Sequence, residues 1–145
     1  MPRRAEVASS LKQESASFAT RELRLPARPP DLGVAREFVE RAALMFGLGD
    51  DERFDFGLAA NEAVTNAIRH GGPDGQGRIL LRTLVDGDRL TLLVRDYGVF
   101  VAPERGGPRR LDGGRGLDMM HSLTDHFELI LDSGGTTVLL SKDRA

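Results

Sequence analysis

The stretch from Phe56 to His70, FGLAANEAVTNAIRH, closed by Gly71-Gly72-Pro73, constrains this chain more than any other. Its apolar residues at 56, 59, 60, 63, 64, 67 and 68 return at helical spacing and form one stripe for burial. Two glycines and a proline end it, because glycine accepts a left-handed cap and proline cannot continue the helix. Glu62, Asn66 and His70 lie four residues apart. They therefore line up on another face, about 6 Å apart along the axis. Read alone, that row is a solvated face whose terminal histidine complements the helix dipole. Beside an alanine-rich stripe it is also a usable site, since small side chains let a flat ligand or a sheet approach the backbone.

Composition removes several function classes. A length of 145 residues makes one domain with a real core, and a net charge of −2 offers no general grip on nucleic acid. No cysteine is present, which excludes disulfides, thiolate metal sites and thiol nucleophiles. His70, His121 and His126 have no metal-ligand spacing, so no zinc site is expected. There is no apolar run for a bilayer and no signal-peptide core at the start. The expectation is a cytoplasmic protein without membrane or direct nucleic-acid partners.

Along the chain, residues 1–17 are polar and without period, an expected flexible tail, and 18–145 form the single domain. Phe18 to Leu25 alternates as a strand, ended by Pro26, Pro29 and Pro30. Asp31 is the expected N-cap of a helix from Leu32 to Phe46, stopped by Gly47 and Gly49. Asp50 or Asp51 is expected to cap the central helix. Beyond the glycine-rich break, Arg78 to Val85 and Arg89 to Asp96 read as strands joined at Asp86-Gly87, a primed hairpin signal. Val99 to Gly113 has no period and reads as a loop. Arg115 to Thr124 reads as a short helix, and His126 to Leu131 with Thr136 to Ser141 as a hairpin. The order β-α-α-β-β-α-β-β predicts an α+β two-layer sandwich, a mostly antiparallel sheet of about five strands with three helices on one face.

Four short segments fall at the ends of these elements. They are the row of Glu62 and Asn66, then Asp96-Tyr97-Gly98, then Gly114-Arg115-Gly116-Leu117, then Gly135-Thr136-Thr137. Singly, the last three read as a turn, a tight connection and a hairpin exit. Together and in this order they resemble the ATP site of the GHKL superfamily of gyrases, heat-shock chaperones, histidine kinases and mismatch-repair ATPases, whose fold is a sandwich of this kind. The segment Asn61 to Gly71, NEAVTNAIRHG, and the compact length resemble the anti-sigma-factor serine kinases of sporulation and stress response. The likeness covers roughly residues 18 to 142.

The resemblance implies roles residue by residue. Asn66 is expected to hold Mg²⁺ through its side-chain oxygen, and Glu62 to accept or polarise the proton of an attacking hydroxyl. Asp96 is expected to accept from the adenine amine, and Gly98 to let the base lie against backbone. Gly114 and Gly116 would turn N–H groups toward the phosphates. Thr137, helped by Thr136, would reach the adenine edge, and Arg69 and Leu117 join the nucleotide-binding set. Arg105, Arg109, Arg110 and Arg115 are either a solvated lid or a source of γ-phosphate contact, with Arg115 first in line. His70 is assigned to the helix end, bonding free carbonyls. Phe100 stands where the family often has a glycine.

The activity implied is that of a serine/threonine-protein kinase using Mg-ATP, cycling between ATP and ADP. Its substrate would be an anti-anti-sigma factor of the small sulfate-transporter-like (STAS-like) fold, and it would also sequester a sigma factor. The resemblance further implies a homodimer through the first strand and first helix. The alternative is a non-catalytic nucleotide-binding module that only sequesters a protein partner.

Overall fold

Successive side chains on a strand point to opposite sides, which sets the two faces of the sheet. In the computed structural model, which describes residues 18–70, 77–98 and 115–144, the strands are β1 (Phe18–Pro26), β2 (Arg78–Asp86), β3 (Arg89–Asp96), β4 (His126–Asp132) and β5 (Gly135–Asp143). They form one five-stranded sheet in the order β1-β2-β3-β5-β4, antiparallel at every junction. Leu81, Val94 and Val138 meet in one cross-strand row, and Leu92 and Leu140 in the next. These side chains are buried against helices. The opposite face carries polar pairs: Arg82 Nε donates to Glu22 at 2.9 Å, Thr91 and Ser141 share a 2.8 Å bond, and Arg89 Nε donates to Asp143 at 2.8 Å.

Three helices cover the apolar face: α1 (Leu32–Phe46), α2 (Asp50–His70) and α3 (Arg115–Leu123). The central helix α2 packs between α1 and α3 and over β3 and β5. Ala59, Ala60, Ala63 and Ala67 on α2 and Ala35 and Ala43 on α1 are all buried. Their small size brings helix and sheet backbones close together, so the polar residues of α2 near His70 end up beside the strand termini. No helix among the described residues is long and apolar enough to cross a membrane.

The predicted sandwich and its element order are those observed, with an added 3-10 turn at Pro29–Asp31. Local details differ. Asp31 occupies the N-cap position of α1 but its side chain makes no cap bond; its carboxylate accepts from Arg28 Nε at 3.1 Å instead. At α2 neither Asp50 nor Asp51 is the cap. Gly49 precedes the helix, and Glu52 Oε1 reaches back to accept from the Gly49 N–H at 2.9 Å, half of a capping box. The β2–β3 turn lies one residue later than predicted: Asp86 pairs with Arg89, so Gly87 and Asp88 are the turn residues, and Gly87 takes φ 64°. The last hairpin is longer at both ends than the predicted strands, and α3 stops at Leu123, with Thr124 Oγ1 donating to the Met120 carbonyl at 2.6 Å.

The helix stop after Phe46 is as predicted. Gly47 is left-handed at φ 99°, its N–H bonds the Leu44 carbonyl at 3.1 Å, and the Leu48 N–H bonds the Ala43 carbonyl at 3.2 Å, a Schellman closure. Arg144 completes that end: its guanidinium donates to the Phe46 carbonyl, lies 4.2 Å over the Phe46 ring and bonds the Gly87 carbonyl at 3.2 Å. A cation on the last carbonyls of a helix complements its dipole and here ties α1 to the β2–β3 turn.

Candidate functional site

The site is built where β3 ends and β5 begins. Asp96, the last residue of β3, stands directly opposite Thr136, the second residue of β5. Above them the row of α2 winds inward. Residues four apart lie on a ridge inclined to the helix axis, so the series begins exposed at Phe54 and Leu58, is half-buried at Glu62 and reaches the interior at Asn66. Asn66 and His70 of α2, Asp96, Thr136, and Leu117 and Met120 of α3 line one small cavity of about 10 Å³. That is room for about one water molecule.

The polar groups around it are deeply buried and incompletely paired. Asn66 is 4% exposed, Asp96 3% and Thr136 4%. Asn66 Oδ1 accepts from Arg69 Nη1 at 3.2 Å, but Asn66 Nδ2 and Thr136 Oγ1 have no hydrogen-bond partner among the described residues. Leaving a buried donor or acceptor unmade costs about 1–3 kcal/mol. Two such groups lining one cavity are the signature of a site whose partner is a ligand or an ordered water.

Asp96 is the charged member. Its Oδ1 accepts the Gly98 N–H at 3.1 Å. Burial pushes its carboxyl above the usual carboxylate range, opposed by the Gly98 N–H, the charge of His70, the Thr136 backbone N–H and Arg95. A buried carboxylate with a free lone pair beside an unpartnered hydroxyl is suited to accept from, and donate to, the edge of a planar polar ligand.

Gly135 makes this juxtaposition possible. It takes φ 150°, and a Cβ there would stand 1.9 Å from the Asp96 carbonyl oxygen. Only glycine lets β5 start hard against the end of β3.

Residues 25–142 match the family described as Histidine kinase-like ATPase domain. The chain belongs to that family. Among its relatives, Serine-protein kinase RsbW of Bacillus pumilus (strain SAFR-032) is 33% identical over 141 residues, covering 85% of this chain and 87% of that protein. Serine-protein kinase RsbW of Bacillus subtilis (strain 168) is 30% identical over 134 residues, covering 83% of each. Of solved structures, the RsbU and RsbW domains of Rv1364c from Mycobacterium tuberculosis superpose with a TM-score of 0.66 at 22% identity, over 86% of this chain and 33% of that one. The histidine kinase domain of a blue-light activated kinase from Erythrobacter litoralis gives 0.52 at 19% identity, over 81% and 61%. These two likenesses show the fold, an ATPase-family sandwich.

Against that family frame, the geometry sorts the residues singled out from sequence. Asn66, Asp96, Leu117 and Thr136 meet at the cavity, and Gly98 joins them through its N–H to Asp96. Glu62 lies one turn before Asn66, half-buried and outside the cavity lining. Arg69 is exposed and engages Asn66 Oδ1. Gly116 is buried in the first turn of α3, which Arg115 opens. Thr137 is not at the cavity. The pleat turns it to the open face, where its Oγ1 accepts from Arg95 Nη1 at 2.9 Å, so Thr136 and not Thr137 is the hydroxyl beside Asp96. His70, assigned from sequence to the helix end, lines the cavity. Gly114, Phe100, Arg105, Arg109, Arg110 and the tail 1–17 lie outside the described residues.

Sequence reasoning missed Met120 and Arg95, and it held Gly135 only within the Gly135-Thr136-Thr137 segment, without its close approach to Asp96. The period of α3 already held Met120 as apolar. Nothing local marks Arg95, whose partners lie 37 and 42 residues away.

Proposed function

We propose that this chain is a cytoplasmic protein serine/threonine kinase that transfers the γ-phosphoryl group of ATP to a STAS-like anti-anti-sigma factor and sequesters a sigma factor. The observation that carries the nucleotide half is the pair of buried, unpartnered atoms, Asn66 Nδ2 and Thr136 Oγ1, lining one cavity with Asp96. The kinase half is supported by relatives named serine-protein kinases at 30–33% identity.

In this reading Asp96 accepts from the exocyclic amine of adenine, Thr136 bonds the neighbouring ring edge, and the Gly98 backbone leaves room for the base. A purine is larger than the present cavity, so the wall of Leu117 and Met120 has to give way on binding. The donor set also fits Mg²⁺. Among the described residues the Asn66 side-chain oxygen is held by exposed Arg69, and a hard cation needs few protein ligands when phosphates and waters supply the rest. When bound, the ion would neutralise charge on the β- and γ-phosphate oxygens. Glu62 takes the proton of the acceptor hydroxyl as that oxygen attacks the γ-phosphorus and ADP leaves. Its half-buried position, between exposed Leu58 and buried Asn66, suits a base that must meet a nucleotide on one side and a protein on the other.

The test is label transfer from Mg-[γ-³²P]ATP to a purified STAS-like anti-anti-sigma protein. The native chain should label it on serine or threonine, and Glu62→Gln should bind ATP while transferring about 10²–10⁴-fold more slowly. Partner and ATP binding without transfer would instead establish the non-catalytic module. Absence of Mg-ATP binding at millimolar concentration in a calorimeter would overturn both.

The same reading includes a homodimer through β1 and α1. β1 is an edge strand, and beside it α1 exposes Val34 and Met45, with Arg21 of β1 bonded to Met45 Sδ at 3.2 Å. Light scattering should give twice the monomer mass, and a monomer at all working concentrations would refute it.

A further inference from the structure

Behind the cavity, on the open face of the sheet, lies a network that the proposed chemistry does not use. Arg95 Nη1 donates to Asp132 Oδ2 at 2.9 Å and Arg95 Nη2 to Asp132 Oδ1 at 3.1 Å, a two-pronged pairing across β5 to the end of β4. The same Nη1 donates to Thr137 Oγ1 at 2.9 Å. The guanidinium also lies 5.1 Å from the Tyr97 ring centroid, within cation–π range. Asp132 Oδ1 further accepts the Gly134 N–H at 2.7 Å, which folds the β4–β5 turn back on itself. Arg95 therefore holds three things at once: the end of β3, the start of β5 and the turn that leads into it. Two of these contacts are one residue away from a group at the cavity. Arg95 precedes Asp96, and Thr137 follows Thr136.

We infer that Arg95 is a positioning residue for base recognition, holding the β4–β5 turn against the end of β3 so that Thr136 and Asp96 keep a fixed spacing. This rests on the reading of the cavity as a nucleotide site. The physical reason is rigidity. An arginine fork on a carboxylate fixes orientation as well as distance, which a single hydrogen bond does not. Gly135 lets the two strand ends touch, and the fork keeps them from sliding. A base that must match an acceptor and a hydroxyl simultaneously is sensitive to shifts of well under an ångström, whereas the phosphates, bound elsewhere, are not.

The experiment measures binding of ATP, GTP and inorganic tripolyphosphate to the full chain and to Arg95→Ala, Arg95→Lys and Asp132→Ala. Arg95→Ala should weaken ATP about tenfold and GTP far less, so that discrimination between them falls by about the same factor. Tripolyphosphate binding should not change. Arg95→Lys, which keeps the charge but loses the fork, should fall between. Combining Arg95→Ala with Asp132→Ala should weaken ATP by less than the product of the two separate effects, because both remove the shared fork.

Equal weakening of ATP, GTP and tripolyphosphate would mean a general structural role and overturn the inference, as would unchanged ATP binding in Arg95→Ala. If Arg95→Ala does not fold by circular dichroism, Arg95→Lys decides on the same ratio. A native chain that binds tripolyphosphate but takes ATP and GTP alike would overturn base reading by Asp96 and this role with it. A native chain that binds none of the three would overturn the nucleotide reading itself, a different failure.

Discussion

Asp96 and Thr136 face the helices; Arg95 and Thr137, their neighbours in the chain, face the open side of the same two strands. The two pairs share a backbone and differ in how their polar atoms are satisfied. On the open side Arg95 reaches two oxygens of Asp132 and the hydroxyl of Thr137, and the carboxyl of Asp132 is held below the usual range, first by Arg95 and then by the Gly134 N–H. On the covered side Thr136 Oγ1 and Asn66 Nδ2 go unpartnered among the described residues, and burial pushes Asp96 up. Asp132 is open to water on the first side, whereas Asn66, Asp96 and Thr136 are all buried on the second. A fold that leaves polar atoms dry and unpaired on one face, while pairing their neighbours on the other, has reserved the first set for something else.

The largest effect is expected at Gly135, where the ends of β3 and β5 are pressed together. Gly135→Ala places a Cβ 1.9 Å from the Asp96 carbonyl oxygen on a backbone at φ 150°. Positive-φ strain and overpacking together should cost roughly 3 kcal/mol or more in denaturant unfolding, and nucleotide binding should be lost. A wild-type midpoint would show that the strand ends can part freely.

The paired threonines sharpen the comparison directly. Thr137→Val removes the hydroxyl that Arg95 bonds and should lower stability by about 1 kcal/mol. Thr136→Val removes a hydroxyl with no partner, so the ligand-free protein should lose nothing or gain up to about 1 kcal/mol, while ATP affinity falls. If the two substitutions destabilise equally, the covered hydroxyl is satisfied after all.

Asp96→Asn tests the charge. Because burial raises the folded carboxyl above its unfolded value, the folded state binds the proton more tightly, so native stability falls as pH rises through the window between the two values and stays lowered above it. The asparagine variant does not titrate there. Its stability relative to the native chain should therefore be greater at pH 7 than below that window, read from thermal midpoints across the pH range. ATP binding should weaken, since the ionised carboxylate is the acceptor, and in the native chain it should weaken as pH falls through the raised value.

The smallest effect is expected at Gly134. A Cβ there would meet Arg95 Nη2 at 2.9 Å and Asp132 Oδ1 at 3.4 Å, both at the far ends of side chains. Gly134→Ala should cost under about 1 kcal/mol in the same unfolding assay, because the guanidinium can shift. A loss as large as that at Gly135 would mean the Arg95 fork is more rigid than any other surface pair in the sheet.

Much of this molecule was legible in its residues. Helical and strand periods located the three helices and five strands of the described residues, because burial of one stripe or one face is imposed residue by residue. Caps and turns were less legible. Asp31, Asp50 and Asp51 are all good capping residues, yet the bonds actually made are from Arg28 to Asp31 and from Gly49 to Glu52. Several side chains within two or three residues competed for each role, and packing chose among them. At the β2–β3 hairpin the choice between Asp86-Gly87 and Gly87-Asp88 turned on register across the whole ladder, which one dipeptide does not hold.

Spacing within single segments is enough to place the elements, their order and the row of Glu62, Asn66 and His70. Only the tertiary structure decided that Thr136 enters the cavity while Thr137 turns away, that His70 faces Asp96, and that Arg95 closes on Asp132. Those outcomes depend on the phase of the pleat and on β5 lying between β3 and β4, and contacts between residues tens of positions apart leave no periodic trace in a single chain.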